Sequence, residues 1–381
     1  MLACSSGGSG APPSDGASVG ASDGAAPDAG AAVEAGPSQA CLDQAAKLAA
    51  ALDAGRVAAM SPGSAAAVLT PDCGLWEGAS GTSTNAEPLT SRHLAWVGSV
   101  TKTFVSETVL ELAEASKLSL DDTLAKYVPS FPGAGGITVR QMLSHQSGIY
   151  NYTDDPKFGD ALSTSPGRAW KPEELVAYAA AHPPDFAPGT GWNYSNTNYV
   201  LLAMIVQQVT GGTLATALRA HAFTSAGLGE TYFDKEPTIA GPRAHGFDSG
   251  GEDVTDVFDM SWALGAGGVM STPSDLVKWA QKLYEGSVLG APMMTALLTF
   301  KDSHWSDGMQ YGLGVMQWPA RTAGARALGH GGDQPGYHTW MVYFPDRRMA
   351  VAAYVNSDAA DRFSVTQALL EVLEGSRPAF R

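Results

Sequence analysis

Ser99-Val100-Thr101-Lys102 lies where an extended apolar stretch, Leu94-Ala95-Trp96-Val97, passes through Gly98 into a helical pattern running from Thr103 to Ala113. Residues three apart share a helix face, so this spacing sets the Lys102 amine beside the Ser99 hydroxyl. A serine hydroxyl is a weak nucleophile until an adjacent base takes its proton. A lysine desolvated enough to lose its charge is such a base. The helix N-terminus adds backbone N–H donors and the positive end of a dipole, where an oxyanion would form. Serine and lysine are common, so the spacing gains weight only if other stretches supply the rest of an acyl-transfer site.

Two do. Tyr194-Ser195-Asn196 and His330-Gly331-Gly332 follow in that order along the chain. Serine-x-x-lysine, then tyrosine-x-asparagine, then a basic residue-x-glycine is the motif order of the serine β-lactamase and penicillin-binding protein superfamily. The flanks agree. Gln141-Met142-Leu143-Ser144-His145-Gln146-Ser147-Gly148 resembles the LLSHTSG segment of class C relatives, and Phe186 to Asn196 resembles their F-x-PG-x-x-x-x-YSN run. The resemblance covers roughly Leu42 to Arg381. It is strongest to the branch of class C β-lactamases, the DD-carboxypeptidases of that type and family VIII carboxylesterases.

Competing copies fail on context. Tyr354-Val355-Asn356 lies after His330, out of order, and ends an alternating run from Met349 that reads as a strand; Tyr354 is therefore structural. No other lysine follows a serine at this spacing, and within residues 41–381 no glycine-x-serine-x-glycine elbow points to an α/β-hydrolase.

The resemblance implies an α/β (α+β) fold of the β-lactamase/transpeptidase type: an antiparallel sheet flanked by helices, with a mainly helical region inserted. The α/β part is expected over about 41–106 and 266–381, the helical part over about 107–265, and the active site in the cleft between them. Strands are read at Ala65–Thr70, Leu75–Ser80, Tyr311–Val315, Ala325–His330, His338–Phe344 and Met349–Val355. Helices are read at Leu42–Leu52, Tyr199–Val209 and Arg362–Leu373, with another starting at Thr272 as N-cap.

Within that frame Ser99 attacks an acyl carbonyl, and Lys102 and Tyr194 share its proton. A tyrosine has an ordinary pKa near 10, so Tyr194 needs adjacent positive charge to act as a base near neutrality; which of the two takes the first proton is open. Asn196, His330, Gly331 and Gly332 are expected to bind substrate, the last three on an edge strand where glycines admit a substrate backbone. By resemblance the backbone N–H groups of Ser99 and Asp333 form the oxyanion hole. Histidine at position 330, where many β-lactamases carry lysine, weakens carboxylate capture or passes it to an arginine such as Arg321 or Arg326. Trp192, Tyr150, Asn151 and Tyr152 are read as packing around the cleft, and His145 as structural. Ligand spacings support no metal, and no cofactor is expected.

Composition bounds the alternatives. The chain has 381 residues, 44% of them hydrophobic, enough for a sizeable core. A formal charge of −15 disfavours nucleic acid or an anionic membrane surface as partner, and no apolar run is long enough to span a bilayer. Residues 1–40 contain no Lys, Arg or aromatic side chain and read as a disordered leader preceding one hydrolase domain, 41–381. Leu2-Ala3-Cys4 resembles the end of a bacterial lipoprotein signal. Lipid on Cys4 would make the protein exported, periplasmic or cell-surface; the alternative is a low-complexity leader with an incidental cysteine. Cys41 and Cys73 then remain as an even pair. The implied fold brings the first helix near the first two strands, which suggests a disulfide, with two buried thiols as the alternative.

The functional expectation is a serine hydrolase working through an acyl-enzyme on Ser99, a DD-carboxypeptidase-like peptidase acting on D-amino-acid peptides. The rival on the same site is a carboxylesterase cleaving small acyl esters, and from another class a catalytically silent binding module. The expected partner is a small-molecule or peptide substrate.

Overall fold

The computed structural model describes residues 36–375, apart from 85, 237, 306–307 and 321–324. Cys4 and Arg321 lie outside the described residues. Helix α1 (Gln39–Ala59) begins within the stretch read as leader and runs a full turn or more beyond the expected end. Its start is fixed by the Ser38 side chain, which accepts the Cys41 N–H, and its end by Met60 in the left-handed region.

The sheet is built from both ends of the chain. β1 (Gly63–Thr70) and β2 (Gly74–Gly81) form an antiparallel hairpin. After β3 (Ala95–Trp96), a 3₁₀ turn over Gly98–Val100 leads into α2 (Thr101–Glu114). The helical region carries α3 (Val139–Leu143), α4 (Pro156–Thr164), α5 (Pro172–Ala180), α6 (Asn196–Thr210) and α7 (Leu214–Leu218). The chain returns through β4 (Thr231–Phe233), β5 (Val269–Ser271), α8 (Pro273–Tyr284) and α9 (Ala291–Leu297). It ends in β6 (Lys301–Asp302), β7 (Gln310–Tyr311), β8 (Met316–Trp318), β9 (Ala327–Gln334), β10 (Tyr337–Phe344), β11 (Met349–Val355) and α10 (Ser364–Glu374). Among the described residues the large sheet has eight strands in the order β2-β1-β11-β10-β9-β8-β7-β6, antiparallel throughout.

Two cores sandwich this sheet, and the period of two in the strands assigns residues to each. Along β11, Met349, Val351, Ala353 and Val355 join Leu48 and Leu52 of α1 and Leu369 and Leu370 of α10. Ala350 and Ala352 point the other way, into the core containing Trp279 of α8 and Phe104 of α2. With both faces covered, every residue of β10 and β11 is buried. Tyr354 is buried with its hydroxyl on the His93 carbonyl, and Asn356 binds the Gly63 N–H and the carbonyls of Thr82 and His245. The second tyrosine-x-asparagine therefore fastens β1 to β11.

Two strand readings need correction. The run read as Tyr311–Val315 is a strand end followed by a turn, because Gly314 takes φ +81° and a Cβ there would lie 2.0 Å from the Ser106 hydroxyl. The strand carrying His330 is interior in the sheet order. Its neighbour β8 pairs only with Ala327, Leu328 and Gly329, so from His330 onward β9 runs past the end of β8 towards Ser99.

Cys41 and Cys73 are joined by a disulfide that ties α1 to the β1–β2 turn. Closing that loop stabilises the fold by roughly 3–4 kcal/mol on the chain-entropy model. Urea unfolding of Cys41→Ser/Cys73→Ser should show a loss of about that size; an unchanged midpoint would show that the bridge contributes nothing.

Candidate active site

Ser99 sits in the 3₁₀ turn just ahead of α2, not within the helix, and Gly98 explains the turn. Its φ of +51° lies in the left-handed region, and a Cβ there would fall 2.5 Å from the Asp333 nitrogen. Gly332 answers from the strand: a Cβ on it would lie 2.0 Å from the Val97 oxygen and 2.7 Å from the Ser99 nitrogen. Two facing glycines thus let β9 nest against the Ser99 turn and bring the backbone at Ser99 and at Asp333 side by side.

Helix α2 is buried nearly all round despite its hydroxyls, and those of Thr101, Thr103 and Ser106 each find a partner. Thr101 accepts the Val269 N–H, Thr103 accepts the Trp279 indole N–H, and Ser106 bonds the Tyr199 hydroxyl. These contacts fix the rotation of the helix and so the aim of Lys102. The Lys102 side chain is fully buried, and its Nζ lies 2.8 Å from each of Ser99 Oγ, Asn196 Oδ1 and the Ala266 carbonyl oxygen. Burial holds its pKa well below the usual lysine range, opposed by the Asp333 carboxylate.

This geometry has a consequence for the proton. The Ala266 oxygen and Asn196 Oδ1 only accept, whereas a serine hydroxyl can accept or donate. A neutral amine satisfies both acceptors with its two hydrogens and turns its lone pair to the Ser99 O–H. Desolvation favours that neutral form.

Tyr194 closes the triangle. Its ring centroid is 4.8 Å from Lys102 Nζ, and its phenol hydrogen-bonds with Ser99. Burial raises the phenol well above its ordinary pKa, and the Ser99 hydrogen bond only partly offsets this. Asn196 begins α6, three residues before the expected start, so tyrosine-x-asparagine straddles a helix N-terminus. The Asn196 amide is oriented by donating Nδ2–H to Thr153 Oγ1, while its backbone N–H binds Asn151 Oδ1. Asn151 thus positions a site residue. Tyr152 is packing, its hydroxyl on the Trp262 carbonyl, and Tyr150 stacks on His182 with ring centroids 3.9 Å apart.

His330, expected to contact substrate, is instead fully buried behind the cavity. Its Nδ1 donates to the Gly331 oxygen at 2.6 Å and its Nε2 accepts the Tyr311 hydroxyl at 2.9 Å. Burial, with Lys102 nearby, lowers its pKa to about 3, so the ring is uncharged. Gly331 and Gly332 do border the cavity. Arg326, one of the two arginines considered for carboxylate capture, is exposed and donates to Gln317 Oε1; it does not border the cavity.

The cavity over Ser99 has a volume of about 420 Å³. Its walls are Tyr194, Trp305, Met316, Trp318, Trp340 and Phe363, and its rim carries Asp333 and Arg362. Asp333 accepts from Arg362 Nη1 and from His338 Nδ1, both at 2.5 Å. The aromatic wall and Arg362 were not anticipated from the sequence, since they come from separate strands and a loop with no shared spacing. Among the described residues no cluster of histidine, cysteine, aspartate and glutamate could hold a metal ion.

The architecture is that of several solved hydrolases. A D-stereospecific amidohydrolase from Streptomyces sp. is 30% identical, with TM-score 0.76, covering 85% of this chain and 97% of its own. A D-amino acid amidase from Ochrobactrum anthropi SV3 is 26% identical, with TM-score 0.79 over 87% of this chain and 99% of its own. Among curated sequences, penicillin-binding protein 4* of Bacillus subtilis is 27% identical over 318 residues, 76% of this chain. This chain spans 66% of that relative's length, and 48% of that of a Brucella anthropi D-aminopeptidase. Residues 48–374 match the family model described as Beta-lactamase; the chain belongs to that family and is a serine hydrolase with the β-lactamase/transpeptidase fold.

Proposed function

We propose that the protein hydrolyses an amide bond on the carbonyl side of a D-amino-acid residue, through an acyl-enzyme on Ser99. The observation that carries this reading is the buried Lys102 amine, 2.8 Å from Ser99 Oγ and held by two fixed acceptors. Neutral Lys102 takes the Ser99 proton as Oγ attacks the carbonyl. The oxyanion is met by the N–H groups of Ser99 and Asp333. The Tyr194 phenol, kept protonated by burial, donates to the departing nitrogen and is reprotonated from Lys102. Water then enters by the same route in reverse and frees the acid.

Similarity to the D-stereospecific amidohydrolase and the D-amino acid amidase supports a D-residue, and the aromatic cavity suits an apolar side chain. The rim supports an amide over a peptide ending in a free carboxylate, since the Arg362 charge is matched by Asp333. A DD-carboxypeptidase remains the second reading, favoured by the likeness to penicillin-binding protein 4*.

The test compares D- and L-phenylalaninamide, a D-Ala-D-Ala peptide, p-nitrophenyl esters and nitrocefin. We expect the D-amide to exceed its L-isomer by at least about 100-fold in kcat/KM, the loss that misplacing reacting atoms brings. Equal rates for both isomers, or turnover confined to esters, would overturn the reading in favour of a carboxylesterase.

A further inference from the structure

We propose that His145 is a positioning residue for Tyr194, bracketing the phenol by holding the backbone on both sides of it. The inference rests on the reading of Tyr194 as the proton carrier. The residue before Tyr194 is held by the His145 main chain, whose oxygen accepts the Asn193 N–H at 3.1 Å. The residue after it is held by the ring, where Nδ1 accepts the Ser195 N–H at 3.1 Å. Between these two bonds the imidazole lies against the phenol, with ring centroids 4.3 Å apart, and against Tyr311 at 4.8 Å.

The chemistry of the clamp is fixed by its donors. A backbone N–H only donates, so Nδ1 presents its lone pair and the single proton sits on Nε2. Asn198 Nδ2, 3.2 Å away, approaches the same lone pair. The ring is fully buried, and Nε2 has no hydrogen-bond partner among the described residues. His145 also adopts φ +58°, which few side chains tolerate. A buried N–H without a partner and a left-handed backbone both cost stability. Packing alone would be served as well by an apolar ring; a lone pair aimed at Ser195 N would not.

Asparagine separates the two roles, since its Oδ1 stands where Nδ1 does and it tolerates positive φ. Phenylalanine keeps the ring and removes the acceptor. With active sites counted by fluorophosphonate labelling of Ser99, we expect His145→Asn to keep kcat on D-phenylalaninamide within about threefold. We expect His145→Phe to lose about 100-fold in kcat with KM unchanged, as small displacements of reacting groups do. On p-nitrophenyl acetate, whose leaving group needs no proton from Tyr194, the Phe variant should lose far less. In a Tyr194→Phe background, His145→Phe should add no further loss. Equal kcat for the Asn and Phe variants per labelled site, or additive losses in the double variant, would overturn the proposal. Absence of a Ser99 label on the unmodified protein would instead sink the acyl-enzyme reading beneath it.

Discussion

Ser99→Ala is expected to abolish turnover, by on the order of a million-fold where a serine nucleophile acts with its base as a unit. The change removes one oxygen whose hydrogen bonds serve Lys102 and Tyr194, so circular dichroism and the thermal midpoint should stay near those of the unmodified protein. Intact-mass spectrometry with a fluorophosphonate or a fluorescent penicillin gives the sharper readout. The unmodified chain should gain one adduct, mapping to Ser99, and the alanine variant none. An adduct on the variant would show that another residue is the nucleophile.

Lys102→Met should cost on the order of 10⁴-fold in kcat, the upper range for a positioned general base. Methionine roughly matches the lysine stem and brings no charge into the core, but it leaves the Ala266 oxygen and Asn196 Oδ1 without their donor. The pH profile distinguishes loss of a base from loss of a prop. Below its folded pKa, Lys102 is protonated and has no lone pair for Ser99. As pH rises through that value, which burial places well below 10.5, the neutral fraction and kcat/KM rise together. Tyr194 must keep its proton, and its raised pKa puts the falling limb above 10. A broad plateau between the two limbs should result. The methionine variant should lose the rising limb altogether; a variant that kept it would assign that titration to another group.

What the sequence made legible was local. Ser99 and Lys102 could be paired because a spacing of three at a helix start keeps their side chains together, and the hairpin between β10 and β11 could be placed because Pro345-Asp346-Arg347-Arg348 breaks an apolar run. The glycines at 331 and 332 announced a close approach of backbone, and the structure shows it at Gly332, which meets the Ser99 turn with Gly98 as counterpart, whereas Gly331 lies against the Trp340 ring. What stayed hidden depends on direction and distance. A strand's residue types do not say which face meets the cavity, so His330 read as a substrate contact although its ring points inward to Tyr311. The third partner of Lys102 is a backbone oxygen 164 residues away, which has no side-chain signature. Arg362 and Asp333 meet across a loop and a strand, and nothing in their spacing joins them. His145 read as structural because a lone histidine usually is; its lone pair on Ser195 N emerges only with the fold.

The order of strands in the large sheet bears on how the molecule comes into being. β1 lies between β2 and β11, with Ser64 opposite Val355, so an early strand waits for one made some 290 residues later. Contacts of such span form late, after most of the entropy of closing the loop has been overcome. On the ribosome the nascent β1–β2 hairpin has one side open, and the glycines that shape the nucleophile's turn have no strand to meet. Catalytic competence should therefore arise as a single late event, after the last strands leave the exit tunnel, and chains stalled before β9 should be inert and prone to seek β-partners in their neighbours.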